Sequence, residues 1–127
     1  MSISDNELKE LLEEAKLIFN LLQDMTPLKW EGEKEKVVLS AGFADPKMLS
    51  KYLEMVYAYV ESHMDNKDAI KNDIKRLRGI LLWARFLFNL DKLTLQEVKY
   101  IRDRLSHGFI SLSGNKRLKE LPIPIRS

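Results

Sequence analysis

The chain has 127 residues, 45% of them apolar and 31% charged, with a formal net charge of +2 and no cysteine. That length holds one domain rather than two separate cores, and the apolar share excludes disorder as the default. Without cysteine there is no disulfide framework, thiolate zinc site or cysteine nucleophile, and so balanced a charge excludes a globally basic coat for duplex DNA.

The first residues, Met1 to Glu7, are polar and acidic and lack the basic start and apolar core of a signal peptide. Within them Ser4-Asp5-Asn6-Glu7 is a capping-box pattern. Leu8, Leu11, Leu12, Ala15, Ile18, Phe19 and Leu22 follow at helical spacing, so a helix is expected over about residues 4–24, ending before Pro27. Residues 28–44 read as a loop with one short element. There Val37-Val38-Leu39 suits either a short strand or a short helix, in a charged stretch that also holds Trp30 and Gly32.

Asp45-Pro46 supplies an N-cap followed by proline at the first helical position, and predicts a second long helix over about 46–63. A third is predicted over about 67–90, where Ile70, Ile74, Leu77, Leu81, Ala84 and Phe88 form one stripe. Its second half adds Ile80, Leu82, Trp83, Phe86 and Leu87 and is apolar on nearly every side, so neighbours or a partner subunit must enclose it. Gly79 in its middle suits close packing or a bend. The longest apolar run, Gly79 to Leu90, contains Arg85 and is too short to span a bilayer, so a cytoplasmic protein without membrane association is expected.

Thr94 to Glu97 is a second capping box and opens a helix over about 94–107, with Val98, Ile101 and Leu105 inward and Gly108 suited to a left-handed cap. Residues 109–127 are expected as an extended, proline-containing tail. Leu121-Pro122-Ile123-Pro124-Ile125 is its strap, since prolines alternating with apolar residues exclude an ordinary helix. The fold class is therefore all-α, a compact four- to five-helix bundle in one domain.

Charged residues on apolar arcs need a partner or a cavity. At about 100° per residue, Arg102 falls within the inward arc of the fourth helix, whereas Arg104 falls well outside it. The same geometry turns His107 about 140° from Arg102 in a continuous helix. A single site holding both requires the helix to end before His107, as Gly108 permits, or a second subunit to supply one half.

Arg102-Asp103-Arg104-Leu105-Ser106-His107, followed by Gly108-Phe109, resembles the motif of the HEPN superfamily: an arginine, a polar residue, a short spacer and a histidine on a late helix of a small α-bundle. The resemblance covers only these few residues, with Asp103 in the place where asparagine is commoner. It implies an RNA-binding protein, either a metal-independent endoribonuclease or a relative that binds without cutting, of the toxin–antitoxin or defence type, without cofactor and in a homodimer, with Arg102 and His107 as the motif pair that would carry catalysis. That chemistry is coherent for these residue types. Histidine moves protons near neutral pH, the RNA supplies its own 2′-hydroxyl nucleophile, and an arginine fork steadies the phosphate as charge builds. The alternative is a non-catalytic helical interaction module, an immunity or antitoxin-like protein or a regulator. Arg102 would then be sealed in an ion pair, His107 would cap its helix, and the apolar third helix and the tail would hold a protein partner.

Other cations have two readings. Lys71, Lys75, Arg78 and Arg85 share a stripe that would guide a phosphate backbone toward Arg102. Against this, the first three suit a solvated face, and Arg85 an ion pair with Glu54 or Glu97. Asp103, Lys116 and Arg117, with Lys119 and Arg126, are candidate nucleic-acid contacts or plain soluble surface. His63, near Asp65, suits a helix cap. With two histidines and no cysteine, the case for a metal is weak.

Overall fold

The computed structural model describes residues 3–29 and 31–124. Trp30 and the tail residues Ile125 and Arg126 lie outside the described residues, as do Met1 and Ser2. Among the described residues there are helices and turns but no strand, so the fold is all-α.

Helix α1 (Asp5–Asp24) begins as its capping pattern requires, with Ser4 Oγ accepting from the Glu7 backbone N–H at 3.1 Å. It buries Leu8, Leu11, Leu12, Ala15, Ile18 and Leu22, and gives way to extended backbone at Met25. The segment that read as loop, strand or short helix is α2 (Glu33–Leu39), one face of which buries Val38. Helix α3 (Pro46–Ser62) starts with the Asp45 carboxylate accepting from the Lys47 N–H at 3.0 Å, and proline takes the first turn where its missing donor costs nothing.

Helix α4 (Lys71–Phe88) begins four residues later than its apolar pattern suggests. Residues 67–70 form a turn, with the Ala69 N–H bound to the Asn66 carbonyl. Lys67 is drawn away to the start of α1, where its ammonium meets the Ile3 carbonyl at 3.0 Å and Asp5 at 2.8 Å. A 3₁₀ turn (Leu90–Lys92) leads to α5 (Leu95–Leu105). The α5 capping box is complete: Glu97 N–H donates to Thr94 Oγ1 at 3.1 Å and Thr94 N–H to Glu97 Oε1 at 3.0 Å.

The expected extended tail over 109–127 is corrected in its first half. A second 3₁₀ turn (Phe109–Leu112) and a one-turn helix α6 (Lys116–Lys119) fold there, burying Phe109, Leu112 and Leu118. Gly108, at φ 98°, resets the chain direction after α5, and the Asn115 side chain caps α6 at the Leu118 N–H. Beyond the turns that join these elements, the strap from Leu121 to Pro124 is without helix, as its prolines require.

Helix α4 is the centre of this arrangement, in contact with α1, α3, the second 3₁₀ turn and α6. Ile80, Leu81, Leu82, Trp83, Ala84, Phe86 and Leu87 are all buried. The chain's own elements therefore enclose the apolar half of this helix, and it is not a face left open for a partner. Each of its large side chains contributes roughly 1.5–3 kcal/mol by leaving water. Trp83 also donates from Nε1 to the Phe43 carbonyl at 2.8 Å, tying the α2–α3 connection to the core. Gly79 serves close packing rather than a bend. A Cβ there would fall on the backbone carbonyl of Phe109, so only glycine lets the 3₁₀ turn lie flat on α4.

Candidate functional site: a two-arginine cleft at the end of α5

Helix α5 packs against α2, and this pairing sets the environment of Arg102. Val98, Ile101 and Leu105 face inward, and Arg102 sits on the edge of that arc, its side chain 33% exposed. Its Nε donates to the Ser40 hydroxyl at 2.9 Å, and Nη1 reaches Asp103 at 3.3 Å. Ser40 is the C-cap of α2 and donates in turn to the Val37 carbonyl at 2.6 Å, so the arginine is braced by a helix end rather than neutralised across helices. Among the described residues Nη2 has no hydrogen bond.

Arg102 lines an open cleft of about 390 Å³ together with Arg76 of α4, Tyr52 of α3, Ser40, Ser106 and Gly108. Its floor is aromatic: the rings of Phe43, Tyr52 and Phe109 pack with centroids 4.9–5.5 Å apart. Arg76 pairs at 2.9 Å with Asp73, one turn before it on the same helix. The Ser40 and Ser106 hydroxyls already donate to the Val37 and Asp103 carbonyls, so the two guanidinium groups and the aromatic floor are what make this surface fit for a phosphate flanked by a flat ring.

His107 follows the C-cap Ser106, in the turn between α5 and Gly108. The helix thus ends before His107. The imidazole is exposed, makes no side-chain hydrogen bond among the described residues, and lies outside the lining of the Arg102 cleft. One subunit brings Arg102 together with Arg76, and it does not bring His107 to the same wall. Asp103 is largely exposed beside Arg102.

The remaining candidates are dispersed. Arg85 is engaged, but not by Glu54 or Glu97. Its Nη2 pairs with Glu14 of α1, and Nη1 donates to the carbonyls of Lys119 at 3.0 Å and Leu121 at 3.2 Å. Glu97 instead pairs with Arg117 at 2.7 Å, and the Thr94 N–H and the Arg117 guanidinium hold its carboxyl below the usual value. Lys71, Lys75 and Arg78 line a second hollow near Lys67 and Ile3, about 140° around α4 from Arg76. That stripe therefore does not lead to Arg102. Lys116 is exposed. The His63 ring shares a hydrogen bond with the Tyr59 carbonyl at 2.8 Å, a cap at the end of α3.

Arg76 escaped the sequence reading, although a signal for it existed. It stands four, seven and eleven residues before the buried Ile80, Trp83 and Leu87, a cation aligned with core positions in the same way as Arg102. Among the described residues no three His, Asp or Glu side chains gather as metal ligands, and no helix is long and apolar enough to cross a membrane. Comparison of the chain with protein-family models, curated proteins and solved structures finds no match.

Proposed function

We propose that the protein is a HEPN-like RNA-binding endoribonuclease of the toxin or defence type, working as a cytoplasmic homodimer without a metal. The observation that carries this reading is the state of Arg102. An interaction module would seal that arginine in an ion pair with another helix. Instead its ion pair is with its exposed neighbour Asp103, and it opens onto a cleft beside Arg76 with Nη2 making no hydrogen bond among the described residues.

In the reaction, the guanidinium groups of Arg102 and Arg76 hold the scissile phosphate, and the aromatic floor takes a neighbouring base. The RNA's 2′-hydroxyl attacks phosphorus, forming a 2′,3′-cyclic phosphate and releasing the 5′-oxygen of the next nucleotide. His107 accepts the proton of the attacking 2′-hydroxyl and returns it to the departing 5′-oxygen. Because His107 lies off the wall of its own subunit's cleft, the second copy supplies it.

Cleavage of a mixed RNA pool in chelator tests the reading, with wild type beside Arg102→Ala, Arg76→Ala and His107→Ala. Loss of about 10²–10⁴-fold is expected for His107→Ala and about 10²–10³-fold for Arg102→Ala. Mixing the Arg102→Ala and His107→Ala chains should restore part of the activity, since one composite site in the mixed dimer stays intact. A wild type that leaves RNA whole refutes the nuclease and returns the protein to the class of non-catalytic binding modules.

A further inference from the structure

His107 stands apart from the Arg102 cleft, yet it is not alone on its own side of α5. The hydrogen bonds that end the helix are of the 3₁₀ kind: Ser106 N–H to the Asp103 carbonyl at 3.1 Å, His107 N–H to the Arg104 carbonyl at 3.2 Å and Gly108 N–H to the Leu105 carbonyl at 2.8 Å. In such a turn, side chains three residues apart stand over one another, so Arg104 and His107 share one edge. Tyr100, four residues before Arg104, continues that edge along the helix and is 59% exposed. All three side chains are exposed, and among the described residues none makes a hydrogen bond or an ion pair.

The surrounding charges explain why Arg104 is left without a counterion. Helix α5 carries the carboxylates Glu97 and Asp103, and each is committed to another arginine: Glu97 to Arg117 at 2.7 Å, Asp103 to Arg102 at 3.3 Å. The helical neighbours of Arg104 are Tyr100, Ile101, His107 and Gly108, none of them acidic. A phenol ring, a guanidinium and an imidazole in one row, with no anion among them, suit a phosphate with a base beside it. The row also meets a chemical need. An imidazole moves a proton at a ribose only while the adjoining phosphate is held against it, and the Arg102 cleft does not include His107.

We infer that Arg104 is a further catalytic residue, which holds the scissile phosphate against the His107 of its own subunit. Arg102 and Arg104 point about 200° apart around α5, so one chain cannot grip a single phosphate with both. The complete site therefore takes Arg102 and Arg76 from one subunit, and Arg104 with His107 from the other. Tyr100 offers its ring to a base outside the cleft. This assignment rests on the nuclease reading above, and it is tested both with cleavage and without it.

In RNA cleavage, Arg104→Ala should lose about 10²–10³-fold, the size expected for removing one donor to the developing charge. Arg104 has no partner to lose, so the variant should keep the circular dichroism and urea midpoint of the wild type. Mixed chains then separate the two halves. Arg102→Ala with Arg104→Ala should recover part of the activity, because one site in the mixed dimer receives Arg102 from one chain and the Arg104–His107 pair from the other. Arg104→Ala with His107→Ala should recover none, since every site lacks one member of the pair. A merely structural role for Arg104 would not produce that asymmetry.

The second arm uses a short oligothymidylate, which has no 2′-hydroxyl and cannot be cut. The chain has two histidines, so NMR follows the ring signals of His107 against those of His63. Oligothymidylate should move the His107 signals in the wild type and leave them in place in Arg104→Ala, with His63 unmoved in both. Full activity in Arg104→Ala, recovery by the mixture of Arg104→Ala and His107→Ala, or His107 signals that stay still in the wild type or move equally without Arg104 overturns the assignment. A wild type that leaves RNA intact but shows the Arg104-dependent shift removes the nuclease and keeps Arg104 and His107 as one phosphate-binding site.

Discussion

Arg85 on α4 and Arg102 on α5 occupy comparable places in their helices, each in line with residues that face the core. Around Arg85 the chain closes. Glu14 and the carbonyls of Lys119 and Leu121 take the donors of its two amino groups, while its Nε is buried without a partner among the described residues; Asn89 donates to the Pro122 carbonyl at 2.8 Å, and the Arg85 side chain is 19% exposed. Around Arg102 the chain stops short. Its helix ends three residues later and the next turn leaves by way of Gly108, so the guanidinium borders a cleft. A cation on an apolar arc is thus not itself a functional signal. The segments that pack around it decide whether its hydrogen-bond capacity is spent on the fold or left for a ligand.

The contrast is most exposed to test at Gly79, where the closed region is most tightly built. Gly79→Ala drives a methyl group into the Phe109 carbonyl, and a loss of about 3 kcal/mol or more in urea unfolding is expected. Next is Arg85→Ala, which leaves Glu14 and two carbonyls without their donor. Because both side chains keep some contact with water, the expected loss is about 1–3 kcal/mol rather than the full cost of a buried pair. Thr94→Ala, which opens the α5 capping box, should cost about 1 kcal/mol. Arg102→Ala should change stability by about 0.5 kcal/mol or less, since its partners are exposed. A large loss at Arg102, or none at Arg85, would erase the distinction between the two arginines.

Acid probes the same contrast from the α5 side. The folded state holds the Glu97 carboxyl below its ordinary value, through the Thr94 N–H first and Arg117 second. Protons therefore bind the unfolded chain more readily, so Glu97's contribution is whole above the usual carboxylate range and fades as pH falls through its lowered value. Stability measured from neutral to acid pH should decline less steeply in Glu97→Gln than in the wild type.

Much of the fold is legible in the residues because its signals are local. Ser4, Asp45 and Thr94 mark helix starts through hydrogen bonds spanning two or three residues, and each forms as the pattern requires. The seven-residue α2 is ambiguous in sequence because Val37-Val38-Leu39 suits strand and helix equally, and contact with α5 settles it. The folded stretch after Gly108 escapes for a similar reason. Phe109, Leu112, Leu118 and Leu121 fall at multiples of three rather than at the α-helical period, too few and too spaced to announce a helix, and they are ordered by packing, largely on α4. Of the cleft, Arg102 is found from its arc, while Arg76, Tyr52 and Ser40 come from three other elements whose convergence no spacing records.

Residue pattern was enough to specify the all-α class, the three capped helix starts, the greasy centre in α4 and the break after α5, because capping, periodicity and glycine conformation act within a few residues. Packing between distant segments was needed to select Glu14 over Glu54 or Glu97 as the partner of Arg85. It also joined Arg76 to Arg102 while the Lys71–Arg78 stripe faces elsewhere. Those outcomes depend on how helices distant in the chain rotate and pack against one another, and side-chain volume and burial across the whole core govern that choice.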